Sequence, residues 1–191
     1  VYLNHSDGNA FNSTVVENMS GDYAYGLKMS KSHNNVFNHT NISRIEGFME
    51  ASGIGVSSYP SGSDNNVFNG GNISNITAPA WWSFHFCEYS DNNTIINYTL
   101  SSYPTTVSFI YGNGIALKSV QKSEFVLKPG YVDIGKFVNI TNITATSWIN
   151  ITIHYDDEDV PEYTKETTLR FYELNQSQWE PMPSTVNEAS N

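Results

Sequence analysis

Acidic side chains are the first candidates for chemistry in this chain. Asp156, Asp157, Glu158 and Asp159 place four carboxylates in succession, and calcium prefers several carboxylate oxygens on a flexible loop. The run lacks the spaced ligands and the glycine of an EF-hand loop. A solvated turn is therefore the simpler interpretation, a calcium site at these four residues is the alternative, and no other cofactor is expected.

A second acidic group would suit polysaccharide cleavage. Glu46 and Glu50 lie in one short segment with Arg44 nearby. Hydrolysis needs two carboxylates at a set separation, and a lyase needs a base together with cations that neutralise the sugar carboxylate. The chain has nine Lys and Arg against nineteen Asp and Glu, so it offers few such cations. Further acids occur singly along the chain, at Asp7, Asp64 and Asp91. We therefore do not expect an enzyme.

Asparagine-linked glycosylation is the modification that the sequence suggests most often. Asn-x-Ser/Thr sequons are dense throughout the chain, and occupied sequons lie on the surface of secreted proteins. Some of these asparagines are expected to serve turns and strands instead. Asn139, Asn142 and Asn150 lie in alternating stretches whose polar positions should face solvent. The candidate acceptors are Asn38, Asn72, Asn139, Asn142, Asn150 and Asn175.

Cys87, Trp81 and Trp82 are the candidates for intermolecular contact. Cys87 is the only cysteine, so no disulfide forms within the chain. Cys87 either is a small buried hydrophobic side chain or forms a disulfide bond with another chain outside the cell. Successive side chains of a strand point to opposite faces, so one of the two Trp rings is expected to face outward. That ring would contact a sugar or another subunit.

The composition narrows the class of protein that presents these residues. The chain has 191 residues, a net charge of −10 and 14% aromatic residues. Such a negative surface repels a phosphate backbone, so we expect no nucleic-acid partner, and the aromatic share argues against disorder. Solubility rests on amides and hydroxyls, which is typical of extracellular β proteins. No apolar stretch reaches the roughly 18 residues of a transmembrane helix. A signal peptide is also missing, so we expect a mature product or a fragment of a longer protein.

A repeat organises the first half. Its copies are SDGNAFNSTVV from Ser6, SHNNVFNHTNIS from Ser32, SDNNVFNGGNIS from Ser63 and SDNNTIINYTLS from Ser90. The equivalent asparagines are spaced by about 26, 31 and 27 residues, which is a solenoid period. Two apolar columns accompany them: Phe11, Phe37, Phe68 and Ile95, then Val16, Ile42, Ile73 and Leu100.

Residue types in the repeat predict strands and tight turns. Asn, Gly and Ser disfavour helix and tolerate a left-handed backbone, and short alternating stretches between them suit strands. The chain is therefore predicted to be all-β, beginning with a short parallel β-helix of about four to five rungs over residues 1–117. The apolar columns should face inward, and the asparagines should stack and exchange amide hydrogen bonds along the axis.

The motif S-x-N-N-x-F/I-x-N-x-x-I-S resembles right-handed parallel β-helix repeats of archaeal surface proteins, which are related to NosD-type and pectin-lyase-like helices. Residues 118–191 show longer strands, which predict a small antiparallel β-sandwich. The run from Ile149 to Asn191 resembles the domain that precedes the sorting tail in surface proteins of methanogens. These resemblances imply an extracellular, cell-surface location.

Three classes of function follow. The favoured one is a self-assembling structural subunit of an archaeal envelope layer, such as an S-layer, sheath or surface filament. Its expected partners are covalent glycans and further copies that join at the β-helix ends and the sandwich edge. The alternatives are a glycan-binding or adhesion module, which outward aromatic side chains on one face would favour, and then a polysaccharide lyase or hydrolase.

Overall fold

The structure is a computed structural model that describes residues 1–57, 62–101, 103–121, 130–176 and 178–187. It forms two compact units, one of residues 1–120 with 137–154 and one of the described parts of 121–136 and 155–191. The strands of the first unit are β1 (Tyr2–Asn4), β2 (Ala10–Asn12), β3 (Val15–Ser30), β4 (Val36–Ser57), β5 (Val67–Thr77), β6 (Ala80–Phe86), β7 (Thr94–Leu100), β8 (Thr105–Gly112), β9 (Ile115–Ser119), β10 (Val138–Asn142) and β11 (Trp148–His154).

The first unit is a solenoid-like parallel β-helix of about three turns. Strands β3 and β4 run through corners of the coil and so belong to two of its faces. Their first halves lie on the face that continues through β5 and β7, and the second half of β4 pairs with β6. Asn35 to Asn66 spans one turn, and all these pairings are parallel.

The strand register confirms the predicted columns. Phe11, Phe37, Phe68 and Ile95 are successive partners, as are Val16, Ile42, Ile73 and Leu100. Phe37 and Phe68 are fully buried, and their rings stack with centroids 5.1 Å apart and 7° between planes. Like side chains therefore pile along the coil axis and form its core.

Left-handed backbone at the corners explains the wealth of asparagine. Asn34, Asn65 and Asn92 precede the ladder asparagines and have φ between 55° and 57°. Asparagine reaches this region more readily than most residues. Each ladder asparagine then donates its backbone N–H and its Nδ2 to Oδ1 of the next one at 2.9–3.0 Å, from Asn9 through Asn35 and Asn66 to Asn93.

The coil is shorter than the predicted four to five rungs, because the chain reverses after β7. Strand β8 runs antiparallel to β7, and β11 runs antiparallel to β8. On the other face, β9 runs antiparallel to β6, and β10 to β9. Five residues of β10 and seven of β11 thus extend the sheets of the coil.

The predicted domain boundary after residue 117 is therefore displaced. The coil unit extends to residue 120 and also takes in residues 137–154, since β10 and β11 pair with its strands. In the second unit, the described residues contain one two-stranded antiparallel sheet of β12 (Tyr172–Asn175) and β13 (Gln178–Pro181), with 3₁₀ turns at Asp157–Asp159 and Glu166–Thr168. The separate antiparallel sandwich over 118–191 is supported only to this extent, and the right-handed sense of the coil stays a prediction.

Candidate functional site

The outer surface of one coil face gathers aromatic and charged side chains from four strands. The strand register aligns one residue from each of four strands in a row across the sheet. The row runs from Lys28 of β3 through Gly55 of β4 and His85 of β6 to Ala116 of β9. Core residues such as Phe84 and Phe86 flank His85 and point inward, so this row faces out. We call the outer platform the set Tyr25, Lys28, Glu50, Trp82, His85 and Lys118.

Tyr25 lies flat against the sheet because its ring covers Gly55 of β4, which has no side chain. A Cβ on Gly55 would lie 2.6 Å from Cδ1 of Tyr25, so any larger residue would displace the ring. The Tyr25 hydroxyl donates to Oε1 of Glu50 at 3.4 Å. Burial, followed by the charge and hydrogen bond of Glu50, raises the pKa of Tyr25 to about 12.

Glu50 links the tyrosine to a histidine. Oε1 of Glu50 lies 3.0 Å from Nδ1 of His85, and both side chains are about one-fifth exposed. Because Nδ1 engages the carboxylate, Nε2 is the imidazole nitrogen available to a ligand. A carboxylate and an imidazole held together in this way provide hydrogen-bonding groups of fixed orientation.

Two lysines border the platform over aromatic rings. The Lys28 ammonium lies 4.4 Å from the ring centroid of Tyr25. The Lys118 ammonium lies 4.4 Å from the centroid of Trp81 and 4.8 Å from that of Trp82. Burial lowers the pKa of Lys118. These cation–π contacts hold the lysines on the surface at positions where an anionic ligand can reach them.

The sequence indicated Trp82 and Glu50 as separate candidates but did not bring the platform together as one site. Tyr25, Lys28, His85 and Lys118 have no counterparts of the same type in the other turns, so no column marks them. The predicted acidic group of Glu46 and Glu50 with Arg44 is not one cluster in the structure. Arg44 contacts Glu17 and donates from Nε to Asn18 at 2.7 Å. Glu46 lines an open hollow of about 480 Å³ with Arg44, whereas Glu50 pairs with His85.

The Trp and Cys candidates lie at this face and its end. Trp81 is half-buried and packs against the core, and Trp82, also half-buried, is the outward member of the pair, as the alternation predicts. Cys87, directly after β6, is half-buried. Whether any of the three contacts another chain stays a prediction.

The predicted calcium ligands form a local turn. Oδ2 of Asp159 accepts a hydrogen bond from the backbone N–H of Asp156 at 2.9 Å. The same oxygen forms an ion pair with Nζ of Lys136 at 2.8 Å. Burial alone would raise the pKa of Asp159, but Lys136 and the Asp156 N–H hold it below its ordinary value. Within the described ranges, no group of three or more His, Cys, Asp or Glu is placed to hold a metal ion. These contacts describe a local turn, and calcium binding at Asp156, Asp157, Glu158 and Asp159 stays a prediction.

Four of the six candidate glycosylation sites are exposed, and the other two are partly buried. Asn139 and Asn142 are exposed on β10, Asn150 is exposed on β11, and Asn175 is exposed at the end of β12. Ser177 of the Asn175 sequon lies outside the described residues. Asn38 and Asn72 are partly buried. Nδ2 of Asn38 donates to Asn12, and Oδ1 of Asn72 accepts from Ser101, so both have structural contacts as well.

Comparison with protein-family models, with curated proteins and with solved structures finds no match for this chain. In the part of the chain that the structure describes, no helix has the length and apolar character needed to cross a membrane.

Proposed function

We propose that the chain is a structural, self-assembling subunit of an extracellular envelope layer of the archaeal type, and that it is not an enzyme. The observation that carries the proposal is the open side of β3. All along its length β3 pairs with β4, but among the described residues its other side pairs only at Lys28, Met29 and Ser30, with β1. An open strand edge is a template for a further strand, and the proposal assigns that strand to a second copy of the chain.

Apolar side chains next to this edge favour association. Val15, Met19 and Tyr23 of β3 are exposed by 66%, 40% and 57%. The asparagine ladder supports the same contact. In each later turn, Oδ1 of the ladder asparagine accepts two N–H groups from the asparagine of the turn before. Oδ1 of Asn9 is therefore oriented to accept N–H groups from a further turn. A second copy that docks here would continue both the sheet and the ladder.

The second contact in the proposed assembly uses the far end of the coil. Strands β10 and β11 are the terminal strands of the sheet order and carry the exposed sequons of Asn139, Asn142 and Asn150. In the proposal, N-linked glycans at these and the other exposed sequons form the solvent-facing coat, and contact between copies uses the strand stretches that the glycans leave uncovered.

Sedimentation and electron microscopy of the purified chain test this proposal. We expect concentration-dependent rods or sheets for the wild-type chain and a loss of assembly for the double variant Val15→Lys, Met19→Lys. The control is Tyr163→Lys, whose side chain is 96% exposed in the second unit and should not affect assembly. A wild-type chain that remains monomeric at high concentration would contradict the proposal.

A glycan-binding module is the second candidate function, because one specific observation favours it. Tyr25 and Trp82 lie on the same outward face with Glu50 and His85 beside them. Aromatic rings next to hydrogen-bonding side chains suit saccharides, which offer both apolar ring faces and hydroxyl groups. Binding of any oligosaccharide, measured by calorimetry, tests this candidate.

A further inference from the structure

We infer that the outer platform binds an acidic saccharide chain, with Lys28 and Lys118 contacting sugar carboxylates while Tyr25 and Trp82 stack on sugar rings. This inference rests on the second candidate function and names its ligand class. It concerns a surface of the coil unit whose residues are all among those described.

The distribution of charge favours an anionic ligand at this face. The chain has a net charge of −10, so most of its surface repels anions. The coil unit contains four Lys and Arg residues, Lys28, Lys31, Arg44 and Lys118, and two of them border the platform. Glu50 is held by Tyr25 and His85, which reduces its repulsion of a bound carboxylate.

The spacing of the two lysines suits a chain rather than a single small anion. Lys28 is on β3 and Lys118 on β9, three strand positions apart in the order β3, β4, β6, β9. At a strand separation of about 4.8 Å, their backbone positions are roughly 14 Å apart across the sheet. Each lysine stays over its own ring on its own side of the platform, and an oligosaccharide with several acidic units can contact both.

The surface between the lysines carries small residues that project little from the sheet. Gly55 and Ala116 occupy the positions on either side of His85 in the row, and Ser52 lies between Tyr25 and Trp82 in the neighbouring row. These small residues leave the rings of Tyr25 and Trp82 and the His85 imidazole as the prominent groups. Hydroxyl groups of a saccharide laid across the strands would meet Nε2 of His85 and the second oxygen of Glu50.

The lysines can leave their rings at little cost. An exposed cation–π contact is worth about 0.5–1 kcal/mol, which is less than a charge-assisted hydrogen bond to a carboxylate contributes. An acidic ligand therefore draws Lys28 and Lys118 onto its carboxylates, and this movement uncovers the ring faces for stacking. A neutral saccharide has no carboxylate for the lysines to contact. It must therefore displace them from the rings without gaining an interaction with them in return.

Calorimetric titration with an oligogalacturonate and with a neutral galactose oligosaccharide of the same length tests the inference. We expect the acidic chain to bind at least about tenfold more tightly at low salt, with affinity falling as salt rises. Lys28→Gln and Lys118→Gln should each weaken acidic binding about threefold or more, and Trp82→Ala should weaken it further. Lys165→Gln, an exposed lysine of the second unit, is the matched control and should bind like the wild-type chain.

Each outcome decides between the two claims. Equal binding of both oligosaccharides, unaffected by the lysine variants, would keep the glycan-binding function and overturn the acidic ligand class. Binding of neither at millimolar concentration would overturn both. Thermal unfolding of every variant checks its fold, and Trp82→Phe, which retains a ring, should recover most of the binding that Trp82→Ala loses.

Discussion

Asn93 donates from Nδ2 to the hydroxyl oxygen of Tyr111 at 2.7 Å. Asn93 is the last asparagine of the ladder, and Tyr111 belongs to β8, the first antiparallel strand after the coil. Both residues are fully buried. The hydroxyl takes the place that Oδ1 of a further asparagine would occupy, so an aromatic residue of the antiparallel cap completes the last turn of the ladder.

Tyr111→Phe should destabilise the coil by about 1–3 kcal/mol, because one N–H of Asn93 is left buried without an acceptor. The other N–H still donates to the backbone oxygen of Ser63 at 2.9 Å, which limits the loss. Urea unfolding followed by circular dichroism measures the change. Tyr103→Phe, at a partly exposed tyrosine, is the control and should stay within about 0.5 kcal/mol of the wild-type value.

Phe68→Ala and Asn66→Ala compare the core with the ladder in the same turn. Phe68 is fully buried between stacked residues, and its loss should cost about 3–5 kcal/mol. The Asn66 side chain takes part in four hydrogen bonds, with Asn35, Asn93 and the Ser32 carbonyl. Several buried polar groups would then be unpaired, each at about 1–3 kcal/mol.

We therefore expect the two variants to lose comparable stability in urea unfolding. Asn69→Ala is the control, since Asn69 belongs to a more exposed row and donates to Asn38 at 3.3 Å. It should cost less than about 1 kcal/mol. A near-neutral Asn66→Ala would show that the ladder contributes little to stability.

Repetition explains how much of the fold the sequence predicts. Asn35 and Asn66 recur with Phe37 and Phe68 at constant offsets, and stacked turns require like residues over like, so the register could be predicted before the structure. For β11, the partner strand could not be predicted in this way. Its alternation from Trp148 to His154 suits a sandwich strand equally well, and only the structure pairs it with β8. The outer platform was missed for a related reason, because unlike residues from three turns and β9 meet there.

Gly71→Ala should be among the most damaging glycine substitutions in the coil. Gly71 has φ of +144°, and a Cβ there would overlap the Thr40 carbonyl and lie 3.0 Å from Cε1 of Tyr98. Strain and overlap together should cost about 3 kcal/mol or more. Gly8→Ala is the matched control: its φ is +69° but nothing lies within 4 Å of the added Cβ. Strain alone predicts roughly 1–2 kcal/mol there. Similar losses for both variants in thermal unfolding would contradict the proposed packing of Tyr98 against Gly71.

Alkaline titration should reveal the buried tyrosines. Burial raises the pKa of Tyr25 to about 12, with Glu50 adding to it, and burial also raises the pKa values of Tyr98 and Tyr111. In the unfolded chain all three ionise near pH 10. Between pH 10 and the raised values, the unfolded state therefore binds fewer protons than the folded state, so the free energy of unfolding falls as pH rises. The stabilisation is complete below about pH 10 and is lost progressively above it.

Phenolate absorbance and circular dichroism, recorded on the same samples, measure this behaviour. Tyr98 and Tyr111 should contribute their absorbance only together with unfolding, because their hydroxyl groups lie in the core. Tyr98→Phe should remove one phenolate from the absorbance that appears with unfolding. If the phenolate absorbance that Tyr98→Phe removes appears while the sheet signal is still intact, the burial of Tyr98 is contradicted.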